Sequence, residues 1–153
     1  MFTLNNKVPP PVVALICGGI AWLLAAGAPS LSYQVSYRVP IAIGFVLIGL
    51  ALDISRLLAF RAVKTTVNPL APDRTTAMVQ SGPYQFTRNP MYLGMASMLM
   101  GYCAYLSNPV SLAGVIIFVA YITRFQIIPE ERVLAVKFGE PFMQYSRSVR
   151  RWL

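Results

Sequence analysis

Four long apolar stretches are the feature that most restricts how this chain of 153 residues can fold. They cover 76 residues, about half of the chain, and run over residues 11–28, 39–60, 91–106 and 109–128. A helix needs about 17–25 apolar residues to cross a bilayer. Only 12% of the residues are charged, about half the share of a soluble domain. The sequence therefore predicts an all-α, polytopic membrane protein with four transmembrane helices in one domain, residues 1–153.

The first stretch shares some features with a secretory signal peptide, because Lys7 precedes it and Ala26-Gly27-Ala28 ends it. However, Pro29 would directly follow the cleavage site, which disfavours cleavage, and the apolar stretch is long. We therefore expect this segment to be retained as the first membrane helix.

Basic residues lie almost entirely on one side of the predicted spans. The net charge is +8, and ten Lys and Arg residues outside the spans fall on the side of both termini, whereas Arg38 alone falls on the other. Because cytosolic loops carry the excess of Lys and Arg, we expect both termini in the cytosol. The loop over residues 61–89 and the tail over residues 129–153 would then also be cytosolic.

The tail is predicted to form two short helices. The first covers residues 130–138, with acidic residues in its first turn and Gly139 at its end. The second begins at Pro141 and places four apolar residues at spacings of 3, 4 and 3, namely Phe142, Tyr145, Val149 and Trp152. Three arginines, Arg147, Arg150 and Arg151, would face away toward anionic lipid or simply anchor the chain on the cytosolic side.

Because the sequence contains no histidine, several common types of catalytic site are excluded. Neither a Ser-His-Asp triad nor a Cys-His pair can form, and no glycine-rich phosphate loop occurs. Cys17 and Cys103 lie singly in apolar stretches, without the spacing of a zinc site or a disulfide framework. We expect neither a metal nor a nucleic-acid partner, so carboxylates, tyrosines and arginines remain as the groups that can carry chemistry.

Two polar clusters are predicted at the same end of a helical hairpin. One covers residues 81–94 and enters the third span, and Pro129-Glu130-Glu131 follows the fourth. Ser107-Asn108 joins these two spans in a very short turn, so both clusters reach the same end of the hairpin. An arginine, a tyrosine and paired carboxylates there could hold a zwitterionic small molecule. The alternatives are helix capping by the carboxylates together with pairing to nearby arginines, and interfacial anchoring by Arg88 and the tyrosines.

These motifs resemble those of the isoprenylcysteine carboxyl methyltransferases, to which the phospholipid N-methyltransferases are wider relatives. The chain has RNPMYLG at residues 88–94 and, after a gap of 35 residues, EERVLAVKFGEPFMQY at residues 130–145. MVQSGPY at residues 78–84 also fits the family, and the resemblance covers about residues 65–153. Asn89 stands where the family has histidine, and Phe142 replaces a tyrosine. The short chain resembles the minimal prokaryotic members.

The resemblance implies that S-adenosylmethionine binds at the cytosolic ends of the last two spans. By the same resemblance, Glu130 contacts the cofactor, and the residues lining its site are Met78, Val79, Tyr84, Asn89, Pro90, Met91 and Tyr92. The chemistry of the cofactor agrees with this set. Carboxylates suit its ammonium group, Arg88 suits its carboxylate, and tyrosine rings suit its adenine or its sulfonium.

Two residues are candidates for a catalytic role. Arg124 lies near the inner end of the fourth span, where we expect it to orient an anionic acceptor, with snorkelling to the interface as the alternative. An amine or thiol acceptor would need a base, which only Glu130, Glu131 or a tyrosine could supply. A carboxylate acceptor needs no deprotonation, so the absence of histidine favours it.

Charged and methionine residues inside the spans have a structural and a functional interpretation. Asp53 and Arg56, three residues apart in the second span, are expected to form a structural pair. Met91, Met95 and Met98 share one helix face, which suits either ordinary packing or an adaptable groove for a prenyl or acyl chain.

The sequence therefore predicts an S-adenosylmethionine-dependent methyltransferase that acts on a lipid-like or lipidated acceptor entering from the inner leaflet. The resemblance points to carboxyl O-methylation of an isoprenylcysteine-type substrate. Two alternatives stay open, a membrane reductase that uses NADPH on an isoprenoid or sterol-like lipid, and a non-catalytic membrane assembly factor. The oligomeric state stays undetermined, because the small-residue pairs Ala14/Gly18 and Ala21/Ala25 are weak signals.

Overall fold

A computed structural model describes residues 8–63 and 78–153 of the chain. Within these two ranges the α-helices are α1 (Pro10–Gly27), α2 (Arg38–Val63), α3 (Pro90–Leu106), α4 (Leu112–Ile122), α5 (Ile128–Phe138) and α6 (Glu140–Ser148). Short 3-10 turns occur at Pro29–Leu31, Gly82–Gln85 and Pro109–Ser111. The described residues contain no strand, so the all-α prediction is confirmed for them.

Three helices are long and apolar enough to cross a membrane. They are Pro10–Gly27, Arg38–Ala62 and Pro109–Phe138. The remaining long helix, α3, has 17 residues, which gives it a length of about 26 Å at 1.5 Å per residue. That is close to the lower limit for crossing the hydrocarbon core, so a fourth crossing, by α3, stays a prediction.

The fourth predicted span continues further than the sequence indicated. α4 passes through a π-helical turn, Thr123–Ile127, directly into α5. α5 covers the predicted range 130–138 and ends before Gly139 as expected, but the prediction that it is separate from the fourth span is wrong. The reason lies in Pro129, whose ring would clash with the carbonyl four residues earlier and which lacks an N–H group. The wider turn just before Pro129 lets the helix continue without that clash.

Glycine permits a very close approach between α2 and α3. A Cβ atom on Gly49 would lie 2.7 Å from the carbonyl oxygen of Gly94, and a Cβ on Gly94 would lie 3.0 Å from that of Gly49. Nearby, the Ser97 hydroxyl donates a hydrogen bond of 2.8 Å to the Phe45 carbonyl. Small residues and interhelical hydrogen bonds are the usual means by which helices associate in an apolar setting.

The opposite side of α3 packs against α1 and α4. Gly114 of α4 gives α1 the same kind of close contact, since a Cβ there would lie 2.7 Å from the Cys17 carbonyl. Phe118, Ile122 and Gln126 are fully buried along the continuous helix. α3 is therefore held between α2 on one side and α1 with α4 on the other, which fixes where its first turn lies.

We predict that Gly49→Ala destabilises the protein, because the added methyl group would collide with backbone as well as with the Met98 side chain. Overpacking of this kind costs about 1–3 kcal/mol. Gly44 lies on the same helix with nothing within 4 Å of its Cβ position, so Gly44→Ala is the matched control. Unfolding of the detergent-solubilised protein in sodium dodecyl sulfate, followed by circular dichroism, measures both. Equal midpoints for the two variants would contradict the packing.

Candidate functional site

A hydrogen bond joins the two polar clusters that the sequence singled out. Tyr92, in the first turn of α3, is only 2% exposed, and its hydroxyl donates to Glu130 Oε1 at 2.6 Å. Glu130 lies in the first turn of α5, directly after Pro129. A short hydrogen bond to a carboxylate is charge-assisted and stronger than a neutral one. It ties the start of α3 to the start of α5.

Two arginines hold the neighbouring carboxylate, Glu131. Arg151 Nε and Nη2 donate to its two oxygens at 3.1 and 2.7 Å, and Arg88 Nη2 lies 3.2 Å from Oε1. These hydrogen bonds to Glu131 raise the pKa of Arg151. The Nε atom of Arg88 is buried and has no hydrogen-bond partner among the described residues. Arg88 therefore keeps a free donor although its charge is paired.

The end of the chain runs alongside the entry to α3. The backbone N–H of Arg88 donates to the Arg150 carbonyl at 3.0 Å. Asn89 Nδ2 donates to the Arg151 carbonyl at 2.9 Å, and the buried Thr87 hydroxyl donates to the same oxygen at 3.3 Å. The amide of Asn89, which stands where the resembled family has histidine, thus binds the tail.

The 3-10 turn Gly82–Gln85 places Tyr84 between α2 and α6. Its ring packs edge-on against Phe60, with centroids 5.6 Å apart, and its carbonyl accepts a hydrogen bond of 2.7 Å from the Tyr145 hydroxyl. Burial raises the pKa of Tyr84, and the nearby Arg56 charge opposes that rise. Burial likewise raises the pKa of Tyr145 to about 12. Both phenols therefore stay protonated near neutral pH.

The structure brings together most of the residues predicted for the site. Arg88, Tyr92, Glu130 and Glu131 meet through the contacts above, and Tyr84 lies close enough for the charge of Glu130 to act on it. The other predicted cofactor residues lie on the same stretch of chain; Val79 and Pro90 are buried, and Met78 and Met91 are half-buried. Arg124 lies on the π-helical turn with its side chain exposed and its guanidinium 5.5 Å from the Phe125 ring centroid, so it is not brought to the cluster.

The prediction for the end of the tail is wrong. α6 ends at Ser148, and Val149 is extended, with φ −120° and ψ 133°. Val149 and Trp152 therefore do not continue the face that begins at the buried Phe142. Trp152 instead donates from Nε1 to the Thr123 hydroxyl at 3.1 Å. Arg151 binds Glu131 rather than facing lipid, because the extended backbone turns the chain back toward α5.

Sequence reasoning assigned Thr87 and Arg151 no role in this site. Periodicity gives no signal for a tail that returns across 62 residues to Asn89. The predicted pair of Asp53 and Arg56 is present, with Oδ1 and Nε 3.8 Å apart, but Arg56 also lies close enough to influence Tyr84. An arginine within an apolar span was the available signal. In the part of the chain that the structure describes, no group of three potential metal ligands occurs.

Comparisons with known proteins identify the family of the chain. A family model described as phospholipid methyltransferase matches residues 37–141, more than half of the chain. An uncharacterized protein of Haemophilus influenzae is 43% identical over 63 residues, which are 41% of this chain and 100% of that protein. No solved structure matches the chain.

We predict that Arg151→Ala loosens the tail, because Glu131 loses two of its hydrogen bonds. The expected loss is about 1 kcal/mol, the size for a partly exposed charged pair. Hydrogen exchange of the amides in residues 149–153 and of Arg88 should become faster. Arg150→Ala removes a neighbouring but exposed side chain and is the control. If both variants exchange alike, the Glu131 pair does not hold the tail.

Proposed function

The chain belongs to the phospholipid methyltransferase family, and from that membership we propose that it transfers a methyl group from S-adenosylmethionine to a lipid acceptor. The observation that carries the proposal is the joining of two distant motifs, by Tyr92 to Glu130 at 2.6 Å and by Arg88 to Glu131 at 3.2 Å.

The residues present fit the amino-acid end of S-adenosylmethionine. The buried Nε of Arg88 has no partner in the described ranges and can donate to a carboxylate. Glu130 uses one oxygen for Tyr92 and keeps acceptor capacity for an ammonium group. The ring of Tyr84, which is half-buried, offers a face for a sulfonium. When bound, the cofactor supplies an electrophilic methyl group on sulfur.

The roles of the protein groups follow from their contacts. Tyr92 fixes the orientation of the Glu130 carboxylate through its hydroxyl. Glu131 accepts two hydrogen bonds from Arg151 and forms an ion pair with Arg88, so in this geometry it positions Arg88. The tail, held by Arg151, covers the entry to α3. Because the positive charge of the methyl donor disappears on transfer, the protein chiefly has to align donor and acceptor.

The catalytic roles of Arg124 and Glu131 remain predictions that kinetics can separate. Arg124 is exposed on the π-helical turn, where it can meet an anionic acceptor in the membrane interface. Arg124→Gln should raise the acceptor KM and leave cofactor affinity unchanged. Glu131→Gln should lower kcat if Glu131 is a base, and should weaken cofactor binding if it positions Arg88. An unchanged acceptor KM in Arg124→Gln would remove that residue from the reaction.

We predict that Glu130→Gln and Tyr92→Phe weaken binding of S-adenosylhomocysteine by about tenfold or more, because each removes a charge-assisted interaction worth about 1.5–3 kcal/mol. Titration of the detergent-purified protein gives the Kd. Tyr105→Phe, near the other end of α3 and exposed, is the control and should bind like wild type. Saturable NADPH binding by a wild-type protein that does not bind S-adenosylhomocysteine would replace this proposal with a reductase.

The stability of the methylated product to base distinguishes a carboxylate acceptor from an amine acceptor. We propose an isoprenylcysteine-type carboxylate, because carboxyl O-methylation needs no base and the chain has no histidine. Membranes containing the protein are incubated with methyl-labelled S-adenosylmethionine, and the lipid extract is treated with base. Release of labelled methanol is the expected result. Label that stays in the lipid would indicate N-methylation and contradict the carboxyl acceptor.

We propose that the site and both termini lie on the cytosolic side of the membrane. Of the basic residues behind this orientation, Lys7, Lys64 and Arg74 lie outside the described residues. A cysteine at exposed Ser148 should resist a membrane-impermeant thiol reagent added to intact cells, whereas one at exposed Ser36 should react. The native cysteines Cys17 and Cys103 are buried. The reverse pattern of labelling would invert the topology.

A further inference from the structure

An apolar groove of about 830 Å³ lies between α1, α2 and α3. Its floor is α3, with Met95, Met98 and Leu99, and its edge on α1 includes exposed residues such as Trp22. The volume lies within the range of about 300–1,000 Å³ that is typical of small-molecule sites. Among the described residues that line the groove, Asp53 is the one that is charged. The groove thus suits a hydrocarbon chain that carries a polar group at one point.

The Asp53–Arg56 pair does not satisfy its own polar atoms. Arg56 Nε and Asp53 Oδ1 are 3.8 Å apart, longer than a hydrogen bond. Both atoms are buried and have no hydrogen-bond partner among residues 8–63 and 78–153. Unpartnered polar atoms in an apolar setting are costly. A ligand group that accepts from Arg56 and donates to Asp53 would satisfy both atoms.

Asp53 lines the groove, whereas Arg56, one turn further along α2, lies outside that lining and close enough to Tyr84 for its charge to act there. The Asp53 carboxyl is 3.7 Å from the Cβ position of Gly94, the last residue of the first motif. One turn beyond Arg56, the Phe60 ring packs on Tyr84. Arg56 lies between these two contacts on the same face of α2, and its charge acts on Tyr84. A headgroup held by the pair would therefore lie beside the tyrosines of the site.

We propose that Arg56 and Asp53 bind the polar headgroup of the methyl acceptor while its hydrocarbon chain lies in the groove. The inference rests on the proposed function and adds the residues that select the acceptor. Arginine presents a planar fork that suits a carboxylate or a phosphate, and Asp53 accepts from an adjacent amide or ammonium group. The shared chemistry is a long hydrocarbon chain with an anion beside a hydrogen-bond donor. Both a prenylated cysteine and an amino-phospholipid carry it.

Arg56→Gln tests the headgroup site. The probes are N-acetyl-S-farnesylcysteine and, separately, vesicles of phosphatidylethanolamine with phosphatidylglycerol. For the probe that is methylated, the acceptor KM should rise by at least about tenfold, while the Kd for S-adenosylhomocysteine stays at the wild-type value. Arg56→Lys, which keeps the charge, should recover part of the loss. The probe whose KM changes identifies the anion as carboxylate or phosphate.

The two proposals fail in different ways. A wild-type protein that does not bind S-adenosylhomocysteine would overturn the proposed function. An Arg56→Gln protein that binds S-adenosylhomocysteine normally and keeps its acceptor KM would overturn the headgroup site alone. Weakened binding of S-adenosylhomocysteine with unchanged acceptor KM would assign Arg56 to the cofactor instead, and would equally overturn the inference.

Gly19→Leu tests the groove. Gly19 lines it, and no atom lies within 4 Å of its Cβ position, so the backbone there can carry a side chain that takes up room in the groove. Gly44→Leu has equal room but lies outside the groove lining and is the control. Gly19→Leu should raise the KM of the long-chain acceptor several-fold and leave that of its six-carbon-chain analogue unchanged. If Gly19→Leu and Gly44→Leu change the acceptor KM equally, the groove does not bind the hydrocarbon chain. The same conclusion follows if Gly19→Leu changes the KM of the long-chain and short-chain acceptors equally.

Discussion

The arrangement of the site depends on pairing buried charge in an apolar molecule. Glu131, with its side chain 19% exposed, has guanidinium groups on both oxygens, from Arg88 before α3 and from Arg151 in the tail. A carboxylate left without these partners would be costly to bury. The same three side chains connect three parts of the chain that are far apart in sequence. Glu131 thus ties the entry to α3 to the end of the tail.

The π-helical turn explains how the carboxylates reach this position. A continuous helix from Pro109 to Phe138 carries Glu130 and Glu131 rigidly, and the wide turn at Thr123–Ile127 accommodates Pro129. The turn also presents Thr123 to Trp152, so the tail binds the helix at a second point. π-Helical turns occur frequently at functional sites, and here one lies directly before the two acidic residues.

The sequence predicted the elements whose cause is local. The lengths of the apolar stretches predicted the ends of α1, α2 and α3 to within three residues. The short turn at Ser107-Asn108 predicted that the two motifs lie at the same end of a hairpin. It could not predict that Arg151 returns to Glu131, because that contact depends on the extended backbone at Val149. It also could not predict that the Asn89 amide donates to the Arg151 carbonyl, because that contact depends on the same return of the tail.

Gly94, the last residue of the first motif, also has a structural role that the sequence alone does not indicate. Gly94 ends RNPMYLG, yet its closest neighbour is the backbone of Gly49 on α2, at 3.0 Å from its Cβ position. Any side chain there would push α2 away and take Asp53 and Arg56 with it. Because Arg56 lies between that contact and Tyr84, the glycine pair sets the distance from α2 to the cofactor residues. The small residues of this interface therefore serve the site as much as the packing of the helices.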